Sequence, residues 1–403
     1  MISDAEKRLQ VLADRRRPGW SLERTFYLDA EIFALDLERI YGRHWLLAGP
    51  ASRIPSTGDW FTYAIGNDST VILRDDDGRL RAFHNVCRHR GSRICLEREG
   101  TSRQFVCPYH NWTYGLDGAL AWALHLPDEC DRSTLGLHPV HVQEIAGLIF
   151  IYTADVPPDF DATATDIDEF FTPFQLQRTQ VCRRTTHIIR ANWKVVAENF
   201  WECNHCQWTH PEYCRVMSGA HAQNNSRLAD EQQAFEQQWE ADTRARGGKV
   251  GRVELTGRGL HQGGRVPIRP GWLTQSEDGQ PVAPLLGELT QYDGAVTSFM
   301  HFPLIWYVVS NEHALLTRFT PLGPLETELE LTWLVHEAAV DGQDYDADRV
   351  CWLWRVTAEQ DKTICENGQL GILSSRYRPG PFVTTESAVD DFVTWYLKEL
   401  CRP

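Results

Sequence analysis

Two cysteine–histidine pairs, Cys87-Arg-His89 and Cys107-Pro-Tyr-His110, are separated by the 17 residues from 90 to 106. Four metal-binding side chains in so short a stretch point to a metal centre. Zinc sites usually group Cys with Cys and His with His; here each pair is mixed. The mixture fits a [2Fe–2S] cluster in which Cys87 and Cys107 hold one iron and His89 and His110 the other. Neutral imidazole in place of anionic thiolate makes such a cluster easier to reduce, so electrons would pass one at a time. Pro108 stiffens the second loop and Gly91 permits a tight turn in the first. Cys95 lies close by but reads as a packed thiol, since four ligands are already present.

A second constellation fills residues 192–211, NWKVVAENFWECNHCQWTHP. At about 100° per residue, Glu202 and His205 are one helical turn apart and share a face. His210, five residues past His205, would point roughly 140° away in a straight helix. Both can meet one metal only if the helix widens, as in a π-bulge, or ends before Pro211. Otherwise they are two unrelated surface histidines. Two His and one carboxylate would leave positions open on Fe(II) for O2. The helical stretch 346–368 offers several carboxylates. Asp361 falls within about 60° of Val350, Trp354, Thr357, Ile364 and Cys365, whereas Glu359 and Glu366 lie about 140–160° away on the polar face. A carboxylate inside an apolar stripe needs a partner, either a metal ion or a buried Arg.

These groups need elements to position them. Residues 4–17 look helical until Pro18-Gly19, and residues 29–44 read as a short helix entering through Asp29. From Trp45 the texture changes to short strands, at 62–65, 71–73, 81–86, 104–106 and 147–152, with hairpin turns at 75–78 and 116–118. Residues 154–168 are rich in Pro, Asp, Ala and Thr and read as a linker. Beyond it, a strand at 185–190 and a helix at 192–210 are expected. A polar, Gly-rich insertion over the surface or the active site follows at 219–285, with one helix at 229–246. Strands recur at 296–309, 313–320 and 327–337, before helices at 346–368 and 388–398. The expected division is a helical segment 1–44, a β domain 45–155 with one ligand pair at each of two loop tips, and an α+β domain 156–403.

Net charge is −15, a poor match for nucleic acid or anionic membranes. No run of 18 apolar residues exists, so no spanning helix is expected. The start, MISDAEKR, lacks the apolar stretch of a signal peptide. Eleven scattered cysteines read as two cluster ligands plus reduced thiols of a cytoplasmic protein. With 15 Trp, 12 Tyr and 17 Phe the composition allows an aromatic cage for a cation, and Phe299, Phe302, Trp306 and Tyr307 lie along one strand region; most such aromatics are ordinary core, so no substrate residue is assigned.

Taken in this order, the two constellations resemble the α subunits of Rieske non-haem iron oxygenases, from about residue 25 to 398. The resemblance implies an N-terminal Rieske β-sandwich and a catalytic domain whose curved antiparallel sheet grips helices. It implies that His205, His210 and Asp361 bind a mononuclear Fe(II). Glu202 matches the acidic residue that bridges the cluster of one subunit to the iron of the next. Ring-hydroxylating members usually carry Asp there, and Glu is typical of the branch similar to choline, glycine betaine and carnitine monooxygenases. The stretches 202–211 and 360–369 look like that branch too, whereas Asn204 replaces a frequent Tyr and Gln207-Trp-Thr-His210 echoes ring-hydroxylating members. Implied partners are O2, a small-molecule substrate and a separate flavin/iron–sulfur reductase using NAD(P)H, with the chain forming a homotrimer. The implied reaction is C–H hydroxylation leading to N-demethylation of a quaternary or methylated amine. The alternatives are oxygenation of an aromatic or other carboxylated ring compound, and a Rieske electron-transfer protein without oxygenase chemistry.

Overall fold

The computed structural model describes residues 4–222, 226–254 and 261–402. Its first half is built from short β-strands. One antiparallel sheet joins Leu80–His84, Asp68–Arg74, Asp59–Ile65 and Glu99–Thr101; a second joins Leu46–Pro50, Leu148–Tyr152 and His141–Ile145; a small third joins Phe105–Val106, Thr113–Tyr114 and Leu120–Trp122. The turn expected at 75–78 forms, because the Asp75 carboxylate accepts from the backbone N–H groups of Asp77 and Arg79 at 3.0 and 2.8 Å. Buried Trp60, Leu73, Phe83, Tyr114 and Leu116 pack between the sheets beneath the two ligand loops.

The second half is organised by one seven-stranded antiparallel sheet. Its order is Thr179–Ile189, Glu326–His336, His313–Gly323, Ile305–Val309, Ala295–His301, His261–Pro267 and Gly251–Val253. Side chains alternate across a strand, and here both faces are covered. Val296, Val308, Leu315, Leu331 and Trp333 face a core shared with the helices Trp193–Phe200, Ala347–Leu373 and Ser387–Leu400. Phe299, Tyr307, Val309, Leu316 and Leu334 face Phe150, Phe170 and Phe171. The long helix starts at Asp346, whose side chain caps the N–H groups of Asp348 and Arg349. The N-terminal segment lies on this half: Arg24 donates to the carbonyls of Ile372 and Leu373 at 2.9 and 2.7 Å.

Several expectations are corrected. The stretch read as a linker contains the helix Asp161–Phe171, anchored by buried Ile167, Phe170 and Phe171 at its polar composition's edge. The helix expected over 192–210 ends at Phe200. The supposed insertion 219–285 supplies two strands to the sheet, Gly251–Val253 and His261–Pro267, besides the helix Ser226–Ala245. The strand expected at 296–309 is a hairpin of two. Among the described residues, no helix is long and apolar enough to cross a membrane.

Glu99 ties the two halves together. Its carboxylate accepts from Arg184 at 2.9 and 3.0 Å and from Arg53 at 2.8 Å. The Arg184 hydrogen bonds, followed by that of Arg53, hold its pKa down to about 2 against the opposing effect of burial. The unfolded value is about 4.3. A depressed carboxylate contributes stability that is present above the unfolded value and lost as pH falls through the folded one. Glu99→Gln should therefore cost about 1 kcal/mol near neutral pH, a figure discounted for the half-exposed side chain. The difference in denaturant midpoint between variant and wild type should shrink as pH is lowered below about 4; a gap that persists unchanged would contradict this role.

Candidate active site

The first ligand pair sits in the loop between Leu80–His84 and Glu99–Thr101, the second in the hairpin between Phe105–Val106 and Thr113–Tyr114. Both loops turn tightly. Gly91 N–H donates to Cys87 O at 3.0 Å, and Asn111 N–H to Cys107 O at 2.9 Å. Gly91 and Asn111 hold φ of 75° and 59°, a region open to Gly and tolerated by Asn. Cys87 and Cys107 point inward and are buried, while His89 is exposed and His110 half-buried. The imidazole centroids lie 4.7 Å apart. Trp112 stacks on His89, and the Tyr114 hydroxyl lies 3.3 Å from Cys87 Sγ. Burial pushes the Cys87 thiol up, so a nearby positive charge is needed to keep it as thiolate. Two inward sulfurs and two outward imidazoles at one point fit the unequal halves of a Rieske cluster.

The second group assembles where the helix Trp193–Phe200 gives out. Asn192 caps that helix through Lys194 N–H. After Trp201 the chain makes a turn closed by a disulfide between Cys203 and Cys206, whose Cα atoms are 5.0 Å apart. The expectation of reduced thiols is corrected at this pair. A short helix, Cys206–Thr209, then stops at His210, and Pro211 begins the next. A residue before proline is pushed out of the helical region, and His210 takes φ −120° and ψ 68°. That break, not a widened helix, turns the two imidazoles together, with centroids 5.1 Å apart.

Asp361 comes from the long helix and is 5% exposed. Its Oδ1 lies 3.0 Å from His210 Nε2 and 3.4 Å from His205 Nε2, and it accepts from Asn199 Nδ2 at 2.8 Å. Donor atoms near 3 Å apart are what an ion with bonds of about 2.1 Å at right angles would require. Cys206 Sγ is also close, 3.9 Å from His205 Nε2, but it is bonded to Cys203 and offers no thiolate. The outer nitrogens are fixed as well. His205 Nδ1 donates to Glu202 Oε1 at 2.6 Å, and His210 Nδ1 to Gln360 Oε1 at 2.7 Å. Gln360 in turn donates to Glu212 at 2.8 Å. Burial opposes a charge on His205, but the Asp361 and Glu202 carboxylates outweigh it and raise its pKa to about 9. Burial likewise pushes Asp361 up, and its hydrogen bonds to His205 and His210 bring it below the usual carboxylate range. Such a site favours a bound cation. Among the described residues, Glu202 bonds within its own turn, to His205 and Asn204, and not to His89 or His110 of the same chain.

A cavity of about 500 Å³ opens beside these groups, between the sheet and the helices. Trp306 and Trp354 meet edge to face at 4.5 Å, with Tyr213 5.5 Å from Trp354. Of the four aromatics singled out in the sequence, only Trp306 lines this space. Phe299 and Tyr307 lie on the opposite sheet face, and Phe302 packs against Trp201 and Trp395. Trp354, read as core, is seven residues before Asp361, which places it on the same helix face; that was the available signal. Asn199 and Gln360 fall inside the stretches 192–211 and 360–369, which marked the region but not the residue, and Tyr213 carried no signal.

Residues 44–130 match the Rieske [2Fe-2S] domain family and residues 176–400 the ring hydroxylating alpha subunit (catalytic domain) family. The chain is 36% identical over 394 residues to the glycine betaine monooxygenase oxygenase subunit of Chromohalobacter salexigens, covering 95% of this chain and 86% of that one. It is 34% identical over 409 residues to the corresponding subunit of Pseudomonas aeruginosa, covering 99% and 93%. In fold it is similar to the quaternary ammonium Rieske monooxygenase CntA, with TM-score 0.74 at 20% identity over 96% of this chain and 97% of that one. Purified protein should contain about three irons and two acid-labile sulfides per chain. Asp361→Ala should lose one iron while keeping the visible spectrum of the cluster, and Cys107→Ala should lose that spectrum. Metal analysis with absorbance checks both; stoichiometric zinc, or full iron in folded Asp361→Ala, would refute the assignment.

Proposed function

This chain belongs to the family of Rieske non-haem iron oxygenase α subunits, and from that premise we propose that it N-demethylates a small betaine-like quaternary amine. The observation that carries this reading is the aromatic corner of Tyr213, Trp306 and Trp354 in the cavity beside His205, His210 and Asp361. Aromatic faces attract a quaternary ammonium, which cannot donate a hydrogen bond. Its N-methyl groups would then lie against the metal-binding side of the cavity.

In this reading Cys87, His89, Cys107 and His110 hold the Rieske cluster, and His205, His210 and Asp361 the mononuclear iron. When bound, the cluster supplies single electrons and the iron activates O2 for insertion into a C–H bond. The protein's own part is to orient and to shield. Glu202 and Gln360 fix the two imidazoles through their Nδ1 atoms, so both Nε2 atoms face Asp361. Asn199 holds the Asp361 carboxylate in place. The apolar wall of Val296, Val308 and Met300 limits water near the reacting carbon. The division into 1–44, 45–155 and 156–403 is supported by the separate strand sets and by the N-terminal contacts with the long helix. A flavin/iron–sulfur reductase drawing on NAD(P)H would feed the cluster, and that dependence on NAD(P)H supports a cytoplasmic location.

Glu202 would be the bridge between copies in a homotrimer. It is bonded to His205 on one side, while His89 of its own chain is exposed. Trp208 next to this turn is 80% exposed and Tyr109 next to His110 is 55% exposed, the apolar surface expected where one chain covers another. Glu202→Gln keeps the shape and loses the charge. Both metal sites should load normally, yet electron transfer between them should slow by orders of magnitude, since bonds to an ionised carboxylate are the strong ones. Rapid-mixing measurement of cluster oxidation checks this, and a wild-type rate in the variant would exclude the bridging role.

The reaction itself is tested with a surrogate reductase, following NAD(P)H oxidation and formaldehyde together. Equivalent formaldehyde from trimethylammonium compounds is expected. NAD(P)H consumption without formaldehyde on any of them, with turnover of an aromatic acid, would move the reading to ring oxygenation.

A further inference from the structure

Resting on the betaine reading above, we infer that Arg252 recognises the substrate carboxylate, so that the cavity selects trimethylammonium compounds that also carry an acid group. Among the described residues, Arg252 is the one Lys or Arg side chain that lines the cavity. The opposite signs already present there are the carboxylates of Asp361 and Glu202 at the histidines. Those carboxylates would answer the iron's charge, so the ammonium end would rest on the aromatic rings and the acid end on Arg252. The aromatic side suits an ammonium, and a guanidinium with N–H groups to spare suits an anion.

Strand register places Arg252. It pairs with Gly264, Gly264 with Ser298, and Ser298 with Val308, one straight row across four strands. Ser298 and Val308 line the cavity, and directly opposed residues share a sheet face. At about 4.8 Å per strand the row spans roughly 14 Å of backbone. Trp306 lies on the strand at one end and Arg252 at the other. A Cβ at Gly264 would come within 2.3 Å of Gly251 O, so only glycine permits the close approach that holds this edge strand.

Glu236 acts as the positioning residue. It reaches from the helix Ser226–Ala245 to Arg252 Nη2 at 3.1 Å, and itself accepts from Gln232 Nε2 at 2.9 Å. One contact leaves further guanidinium N–H groups for a carboxylate, and the planar fork suits bidentate binding. A lone ammonium would lack that geometry.

The test compares glycine betaine with tetramethylammonium, which has the same methyls and no carboxylate, in iron-loaded enzyme with a surrogate reductase. Selectivity is the ratio of the two kcat/KM values. Arg252→Gln should lower it about three- to tenfold, mostly through KM for betaine, the size expected for losing a charge pair on a side chain that is 56% exposed. Arg252→Lys should keep part of it, and Glu236→Gln should lower it less than Arg252→Gln. The cluster spectrum and iron content report that each variant is folded. If wild type releases formaldehyde from betaine and Arg252→Gln leaves the ratio unchanged, the inference is overturned while the betaine reading stands. If wild type demethylates neither compound, the betaine reading falls and the inference with it.

Discussion

A carboxylate withdrawn from water costs several kcal/mol unless donors or cations surround it, and Asp361 is almost fully withdrawn. Its compensation comes from three places in the chain at once. Asn199 donates from the end of one helix, His205 approaches from a turn, and His210 from the break before Pro211. The long helix, the broken helix and the cavity wall between them are thus held in register by one buried anion. Gln360 and Glu212 extend the arrangement outward from His210, and Glu202 extends it from His205. Removing the anion would leave two imidazoles with nothing to converge on.

The sheet makes that convergence possible by being covered on both faces. Its inner face carries the cavity and the helices; its outer face packs on Phe150, Phe170 and Phe171. Phe150 belongs to the cluster-bearing half, so the two halves share a continuous core instead of meeting across a wet cleft. The ion cluster of Glu99, Arg53 and Arg184 adds a polar seam at the edge.

The cavity's chemistry is distributed along the sheet in the same way. Trp306 and Val308 sit on one strand, Ser298 and Met300 on the next, and Arg252 on the edge strand. Trp354 and Tyr213 close the space from the helical side. Aromatic, neutral and cationic side chains follow one another across the cavity at a distance set by strand spacing.

Local spacing alone determined the two ligand loops, because a tight turn brings Cys87 to His89 and Cys107 to His110 whatever surrounds them. Helical periodicity put Asp361 in an apolar stripe, and Pro211 signalled a break after His210. The same periodicity hid the role of Trp354, since a residue facing a cavity and one facing a core obey the same spacing. Trp306 and Tyr307, read alike as core, face opposite sides of the sheet, and no local pattern says which side is open. The helix Asp161–Phe171 escaped notice because its apolar anchors follow a polar run, and Gly251–Val253 because a three-residue strand has no periodicity of its own. Tertiary structure alone decided that Tyr213, Arg252, Trp306 and Trp354 share one cavity. They come from four elements spread over some 140 residues, and their meeting depends on sheet register and helix packing, long-range contacts that no local pattern encodes.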